Sequence, residues 1–394
     1  LNIDWGLAII SGILDVGNIK IWRRTPVQRC AFLLGLCLFA IMCSAPRYDA
    51  AQSAGVRLEI QIGHGDTEHN IMTATCAANE PSAVCTQAAD QPFHPAALQG
   101  GTDVVPDLWL QPSATVDPTK LPLGNRRMVI DVPRAGYVFA CDPFMYSMTT
   151  IIGATRTGPW IDEAAGTYDV THKVFDRGRL VWQGRFTALA EGDQRVIRSN
   201  GLPLPGVPTG LFPVPHEDPA YRFDRNPLTI LEQKIAFAVP LAPAVGAVPR
   251  CVYKEVGITL DGVPLHTGLD SSGRDENAYE LNDTCNGKPQ PGGGYHRHAM
   301  SECTPNIREP GAVVGYALDG FAITGPFDAD GSELTSGKLD ECHGRTSEIL
   351  WEGRKVAMYH YVLTRDFPYS VSCFKGTPTR NAFPPLPGAP PQTR

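Results

Sequence analysis

The chain has 394 residues, 43% of them hydrophobic, which is enough to bury one or two substantial cores. Its 35 prolines and 39 glycines, with charged residues at only 19%, favour a loop-rich β protein over a helical one. A net charge of −7, with no dense basic run beyond Arg23-Arg24, argues against a nucleic-acid surface.

Residues 30–43 (CAFLLGLCLFAIMC) form an uncharged apolar run behind Arg23, Arg24 and Arg29, and small residues follow at Ser44-Ala45 and Ala50-Ala51. A basic flank, a short apolar core and small residues after it are the layout of a secretory signal. The run is short for a membrane span, so an uncleaved N-terminal anchor is the alternative, and membrane contact is expected only there. Residues 1–51 are read as this segment with an upstream extension, which implies a secreted or periplasmic protein.

Residues 56–200 carry strand patterns: Val56-Arg-Leu-Glu-Ile-Gln-Ile62 alternates, as do 127–132 and, in part, 181–186. They predict a β-sandwich-like N-terminal domain. Within it, His64, Asp66, Glu68 and His69 crowd a Gly-rich turn, a second metal candidate if it is not simply a solvated loop. Residues 201–250 are a Pro-rich connecting region, and the Pro-rich tail 376–394 is expected to be disordered.

Residues 251–375 hold four blocks that occur twice in the same order. Gly257-Ile-Thr-Leu-Asp-Gly-Val-Pro-Leu265 is echoed by Gly315-Tyr-Ala-Leu-Asp-Gly-Phe-Ala-Ile323. Asp283-Thr-Cys-Asn-Gly-Lys288 is echoed by Asp340-Glu-Cys-His-Gly-Arg345, Tyr295-His-Arg-His298 by Tyr359-His-Tyr-Val362, and Cys303 by Cys373. Order is harder to produce by chance than any single block, so two units, 257–303 and 315–373, are expected. Asp261-Gly262 and Asp319-Gly320 predict type I′ hairpin turns.

With the apolar run removed, the cysteines left are Cys76, Cys85, Cys141, Cys251, Cys285, Cys303, Cys342 and Cys373. An even set in an exported chain points to disulfides. Cys285 with Cys303 and Cys342 with Cys373 is the simplest pairing, and Cys285 with Cys342 is the rival.

His296 and His298 are two apart, so on a strand both imidazoles project from one face, a common way to supply two nitrogen ligands to copper, zinc or iron. If the two units converge, His360 joins them as a third ligand. The alternative is that these histidines are hydrogen-bonded structural residues. Tyr295, Tyr359, Tyr361, Asp319, Glu341 and His343 are outer-shell candidates. In the plainer reading the tyrosines pack a core, the acids form turns and His343 is exposed.

These blocks, with Ser272-Gly-Arg-Asp275, Gly325-Pro326 and Phe367-Pro-Tyr-Ser-Val-Ser-Cys373, resemble the YHYH domain family of exported proteins. The resemblance spans roughly the last half of the chain. It implies export but no particular activity. The chain departs from the family pattern at Arg297, in place of a Tyr, and at Val362, in place of a His. Arg297 is tolerable beside a dication if it points to the opposite face, as strand alternation predicts.

Three functions fit the sequence. One is an exported β protein binding a divalent metal or small polar ligand. The second is a metal-assisted hydrolase or oxidoreductase using the same cluster. The third is an envelope interaction module without metal.

Overall fold

The computed structural model describes residues 56–62, 70–76, 85–87, 107–147, 156–380 and 382–383. Contacts divide the chain into two compact units, Leu1–Ala97 and Leu98–Arg394. In the first, Val56–Ile62, Asn70–Cys76 and Cys85–Gln87 form an antiparallel sheet, with Cys76 opposite Cys85 in the backbone register. The apolar run 30–43, the histidine-bearing loop 63–69 and the side chains of Cys76 and Cys85 lie outside the described residues. So does much of the expected sandwich. Among the described residues no helix is long and apolar enough to cross a membrane.

The second unit is mainly β, and its largest element is an eight-stranded sheet. Numbered within that sheet, the strands are β1 (Glu255–Thr259), β2 (Pro264–His266), β3 (Gly287–Pro289), β4 (Tyr295–Arg297), β5 (Val313–Ala317), β6 (Ala322–Thr324), β7 (Gly344–Trp351) and β8 (Arg354–Val362). Their spatial order is β3-β4-β2-β1-β5-β6-β8-β7. The central strands β1 and β5 pair antiparallel, with Ile258 opposite Tyr316. Outward from them on each side come the hairpin partner, then a strand parallel to it, then an antiparallel edge strand. The two sides also share a register: Leu265 pairs with Arg297 in one, Ile323 with Tyr361 in the other.

Glycine permits the central approach. A Cβ on Gly257 would meet Tyr316 O at 2.6 Å, and one on Gly315 would meet Ile258 O at 2.7 Å. Both Asp-Gly hairpins form, but not as type I′ turns. Only the glycines, Gly262 and Gly320, have positive φ (84° and 91°), and their amides bond back to Thr259 O and Ala317 O. This is the longer loop in which a type I turn is closed by a left-handed glycine. The aspartates turn inward instead: Asp261 Oδ2 accepts from Arg297 Nη1 at 2.6 Å, and Asp319 Oδ2 from Tyr361 Oη at 2.6 Å.

The cysteine-bearing turns also match. Asp283 Oδ1 accepts from the amides of Cys285 and Gly287, and Asp340 Oδ1 from those of Cys342 and Gly344. Each turn passes through a left-handed residue, Asn286 (φ 59°) or His343 (φ 67°). Disulfides join Cys285 to Cys303 and Cys342 to Cys373, the simpler of the two pairings, and a third joins Cys141 to Cys251. The last closes a span of 110 residues, for which the chain-entropy model gives roughly 4–5 kcal/mol.

One apolar core runs from Trp109 and Val138 through Val256, Ile258 and Tyr361 to Ala382. Residues on both sides of the Pro-rich segment 201–250 therefore share it. The tail, expected to be disordered from Gly376, is ordered at its start. Thr379 N bonds Leu318 O at 2.8 Å, Ala382 is buried, and Phe383 packs on Phe237 at 5.6 Å. These two apolar residues give it a place to dock.

The paired contacts yield a test. Arg297→Met leaves the buried Asp261 carboxylate without its cation and is expected to cost about 3–5 kcal/mol in urea denaturation. Arg297→Tyr installs the partner that Asp319 has and is expected to cost about 1–2 kcal/mol. Equal losses in the two variants would show that the Asp261 contact contributes nothing specific.

Candidate functional site

Side chains alternate along β4. Tyr295 and Arg297 face one way, where Tyr295 Oη donates to Asp283 Oδ2 (2.8 Å) and Arg297 bonds Asp261 and Cys285 O (2.9 Å). His296 and His298 face the other. Because β2 runs parallel to β4 with Leu265 beside Arg297, His266 falls on the same face as those two histidines. Candidate ligand atoms of His266, His296 and His298 all lie within 4.8 Å of one another. The residues are 2%, 3% and 8% exposed. The His266 ring stacks on His296 at 4.1 Å and 25°, and His298 meets His296 at 65°.

Backbone carbonyls orient two of the rings. His296 Nδ1 lies 3.2 Å from Gly294 O, and His298 Nδ1 contacts Thr267 O. A carbonyl only accepts, so both Nδ1 atoms carry hydrogen, and each neutral ring presents its Nε2 lone pair. Those two Nε2 atoms stand 3.0 Å apart. Two lone pairs facing at that distance repel unless a proton or a cation lies between them. His266 Nε2 is buried without a partner.

Near neutral pH a proton is not supplied. Burial, reinforced by the neighbouring imidazoles, holds His266 and His296 well below the usual histidine range, and burial pushes His298 down to about 4. Lys288, cross-strand from His296, adds to the depression. It is ion-paired with Glu276 at 2.7 Å and with Glu280, which offset its charge. Glu276 Oε2 is buried without a partner.

His360 does not join the cluster. It sits on β8, with β2, β1, β5 and β6 between it and β4, five strand spacings or about 24 Å. There its Nδ1 contacts Thr324 Oγ1 at 3.1 Å and its Nε2 contacts Ser347 Oγ at 2.7 Å. The central β1–β5 pairing puts the outer strands on opposite sides of the sheet and keeps the Tyr-His blocks apart. By register, the positions of His266, His296 and His298 are held in the second half by Thr324, His360 and Val362.

The outer-shell candidates disperse likewise. Tyr295 points off the face of the cluster, Tyr359 Oη donates to Asp340 Oδ1 at 3.1 Å, and Tyr361 donates to Asp319. Glu341 pairs with Lys375 at 2.6 Å. His343 is buried rather than exposed, its Nε2 3.0 Å from Thr364 Oγ1, because its left-handed turn folds into the core. The groups that do surround the cluster are the carbonyls of Gly294 and Thr267, with Lys288 and Glu276. His266 escaped the sequence reading because its counterpart is Thr324, so no repeated histidine marked it.

Residues 236–335 match the family model described as YHYH protein. This segment is a YHYH domain. No curated protein and no solved structure matches the chain. The matched YHYH segment contains all three clustered histidines and ends before His360.

The buried histidines outside the cluster predict acid sensitivity. Burial lowers His343 to about 3 and His360 to about 4, whereas an unfolded histidine titrates near 6.5. Between those values the unfolded chain binds more protons. Stability is therefore full above about pH 6.5 and falls toward pH 4 by about 1.4 kcal/mol per pH unit per histidine. His343→Asn keeps a residue that tolerates the left-handed turn and should make that slope shallower by roughly one histidine's share. Urea midpoints between neutral pH and mild acid read it, and an unchanged slope would mean His343 is already protonated in the fold.

Proposed function

We propose that this is an exported, disulfide-stabilised protein whose YHYH domain binds a divalent transition metal (zinc, copper or iron) through His266, His296 and His298. The facing Nε2 atoms of His296 and His298, 3.0 Å apart with both Nδ1 atoms committed to carbonyls, carry this reading. Two imidazoles on a tetrahedral zinc at its usual bond length have nitrogens about 3.3 Å apart, within a few tenths of that spacing. Carbonyls that fix the tautomer are the usual outer support of metal-bound histidine. An all-imidazole donor set suits zinc, copper or iron and does not suit calcium or magnesium.

The burial of all three rings supports a closed site that binds metal for structure or retention. One observation favours a metal-assisted hydrolase or oxidoreductase as the second reading: Glu276 Oε2, beside this site, is buried and unpartnered. Export is supported by the disulfides, which persist in oxidising compartments, and by the apolar run 30–43. We read the two halves of the sheet as copies of one unit. Support comes from their shared strand order, hairpins, aspartate turns and disulfides. In that reading the first copy keeps the ligands.

Metal analysis of the mature chain, purified from an oxidising compartment without a histidine tag, tests the site. About one zinc, copper or iron per chain is expected. His266→Ala, His296→Ala and His298→Ala should each lose it while circular dichroism reports a fold, and His360→Ala should retain it. No metal in the wild type after incubation with each ion would leave the histidines structural and turn the search to envelope partners. Loss in His360→Ala would reinstate a site shared between the halves.

A further inference from the structure

Lys173 follows the short helical turn Val170–His172 and enters the core, only 6% exposed. The chain there runs beside the YHYH domain: Asp176 N donates to Asn282 O at 3.0 Å, and Asp176 forms a bridge with Asp283. Lys173 thereby reaches Asn282, which, like Glu276 on its far side, is 1% exposed. One orientation of the Asn282 amide donates Nδ2 to Asn286 Oδ1 at 3.1 Å; the other suits Lys173 and Glu276 but sets Oδ1 3.1 Å from Asn286 Oδ1. In the latter, Nδ2 donates to Glu276 Oε1 (3.0 Å) and Leu281 O (3.2 Å), while Oδ1 accepts from Lys173 Nζ at 3.3 Å. Lys173 Nζ also donates to Asn277 O, which holds it against the amide. A primary amine, a carboxamide and a carboxylate are thus gathered in a site closed to water.

We propose that Lys173 and Asn282 form an intramolecular isopeptide bond, Nζ to Cγ, with Glu276 holding the carboxamide in place. Burial lowers Lys173 to about 8, so part of it is free amine near neutral pH. The Nζ lone pair attacks Asn282 Cγ, and the carbonyl π pair moves to Oδ1. One proton passes from Nζ by way of Oδ1, its hydrogen-bond partner, to Nδ2, which Glu276 Oε1 holds. The carbonyl re-forms, the Cγ–Nδ2 bond breaks and ammonia leaves. Amine plus carboxamide gives secondary amide plus ammonia, with no oxidant or cofactor. Glu276 Oε1, paired with Lys288 at 2.7 Å, fixes the amide by accepting from Nδ2 at 3.0 Å.

The bond would tie the segment before the YHYH domain covalently to its interior, alongside the Cys141–Cys251 disulfide. It does not rest on the metal reading, and its test needs no metal.

Intact mass of the denatured, fully reduced wild-type chain reads the bond. The expected mass is lighter than the sequence mass by one ammonia. In the tryptic map, Lys173 should resist cleavage and stay joined to the peptide 275–297, since Pro289 blocks cleavage after Lys288. Lys173→Arg and Asn282→Ala should each restore the full mass, less any loss at other sites. A full-mass wild type, folded and held for days at mildly alkaline pH, would overturn the proposal. So would an ammonia loss that maps to Asn286-Gly287 as a succinimide with Lys173 still cleaved. Because the wild-type chain decides, a variant that fails to fold does not obscure the result.

Discussion

The histidine cluster depends on the parallel pairing of two three-residue strands, Pro264–His266 and Tyr295–Arg297. Their register brings His266 to the face that His296 and His298 share. The pairing is secured from the opposite face, where Arg297 spans Asp261 of the first hairpin and Cys285 O of the cysteine turn. The Cys285–Cys303 disulfide closes the same region. Arg297 acts through position rather than charge on the cluster: alternation points it away from the imidazoles whose spacing it maintains.

Parallel strands cannot be joined by a tight turn, so the chain must cross over between β2 and β4. The crossover carries the one-turn helix Glu276–Tyr279, capped by Asp275, and it delivers Glu276 to the Lys288 side of the cluster. Topology thereby sets the electrostatics. The route that pairs β2 with β4 buries two acids beside Lys288 and keeps its charge from dominating the three imidazoles. It also lays Asn282 within reach of Lys173.

The second half uses the same strand order for a different interior. Where the first half has Arg297 on Asp261, the second has the neutral Tyr361 on Asp319. Where the first has His298, the second has Val362, fully buried with Leu334 and Leu339. On the other face of the strand, Phe321, Tyr359 and Tyr361 pack edge to face on one another. Its remaining histidine, His360, is held by the hydroxyls of Thr324 and Ser347. The first half concentrates polar groups, and the second packs apolar and aromatic ones.

What the sequence by itself determined was local. Residues two apart on a strand share a face, which placed His296 and His298 together and Arg297 behind them. Asp-Gly marked both hairpins, although the turn type escaped because the aspartates were needed for inward bonds. Spacing favoured the observed pairing of Cys285 with Cys303 and Cys342 with Cys373. Only the tertiary structure decided the third ring. Which strands become neighbours is set by pairings distant in sequence. The central pair, with Ile258 opposite Tyr316, sends the two Tyr-His strands to opposite sides of the sheet. Strand order, which no local pattern encodes, therefore placed His266 in the cluster and kept His360 out of it.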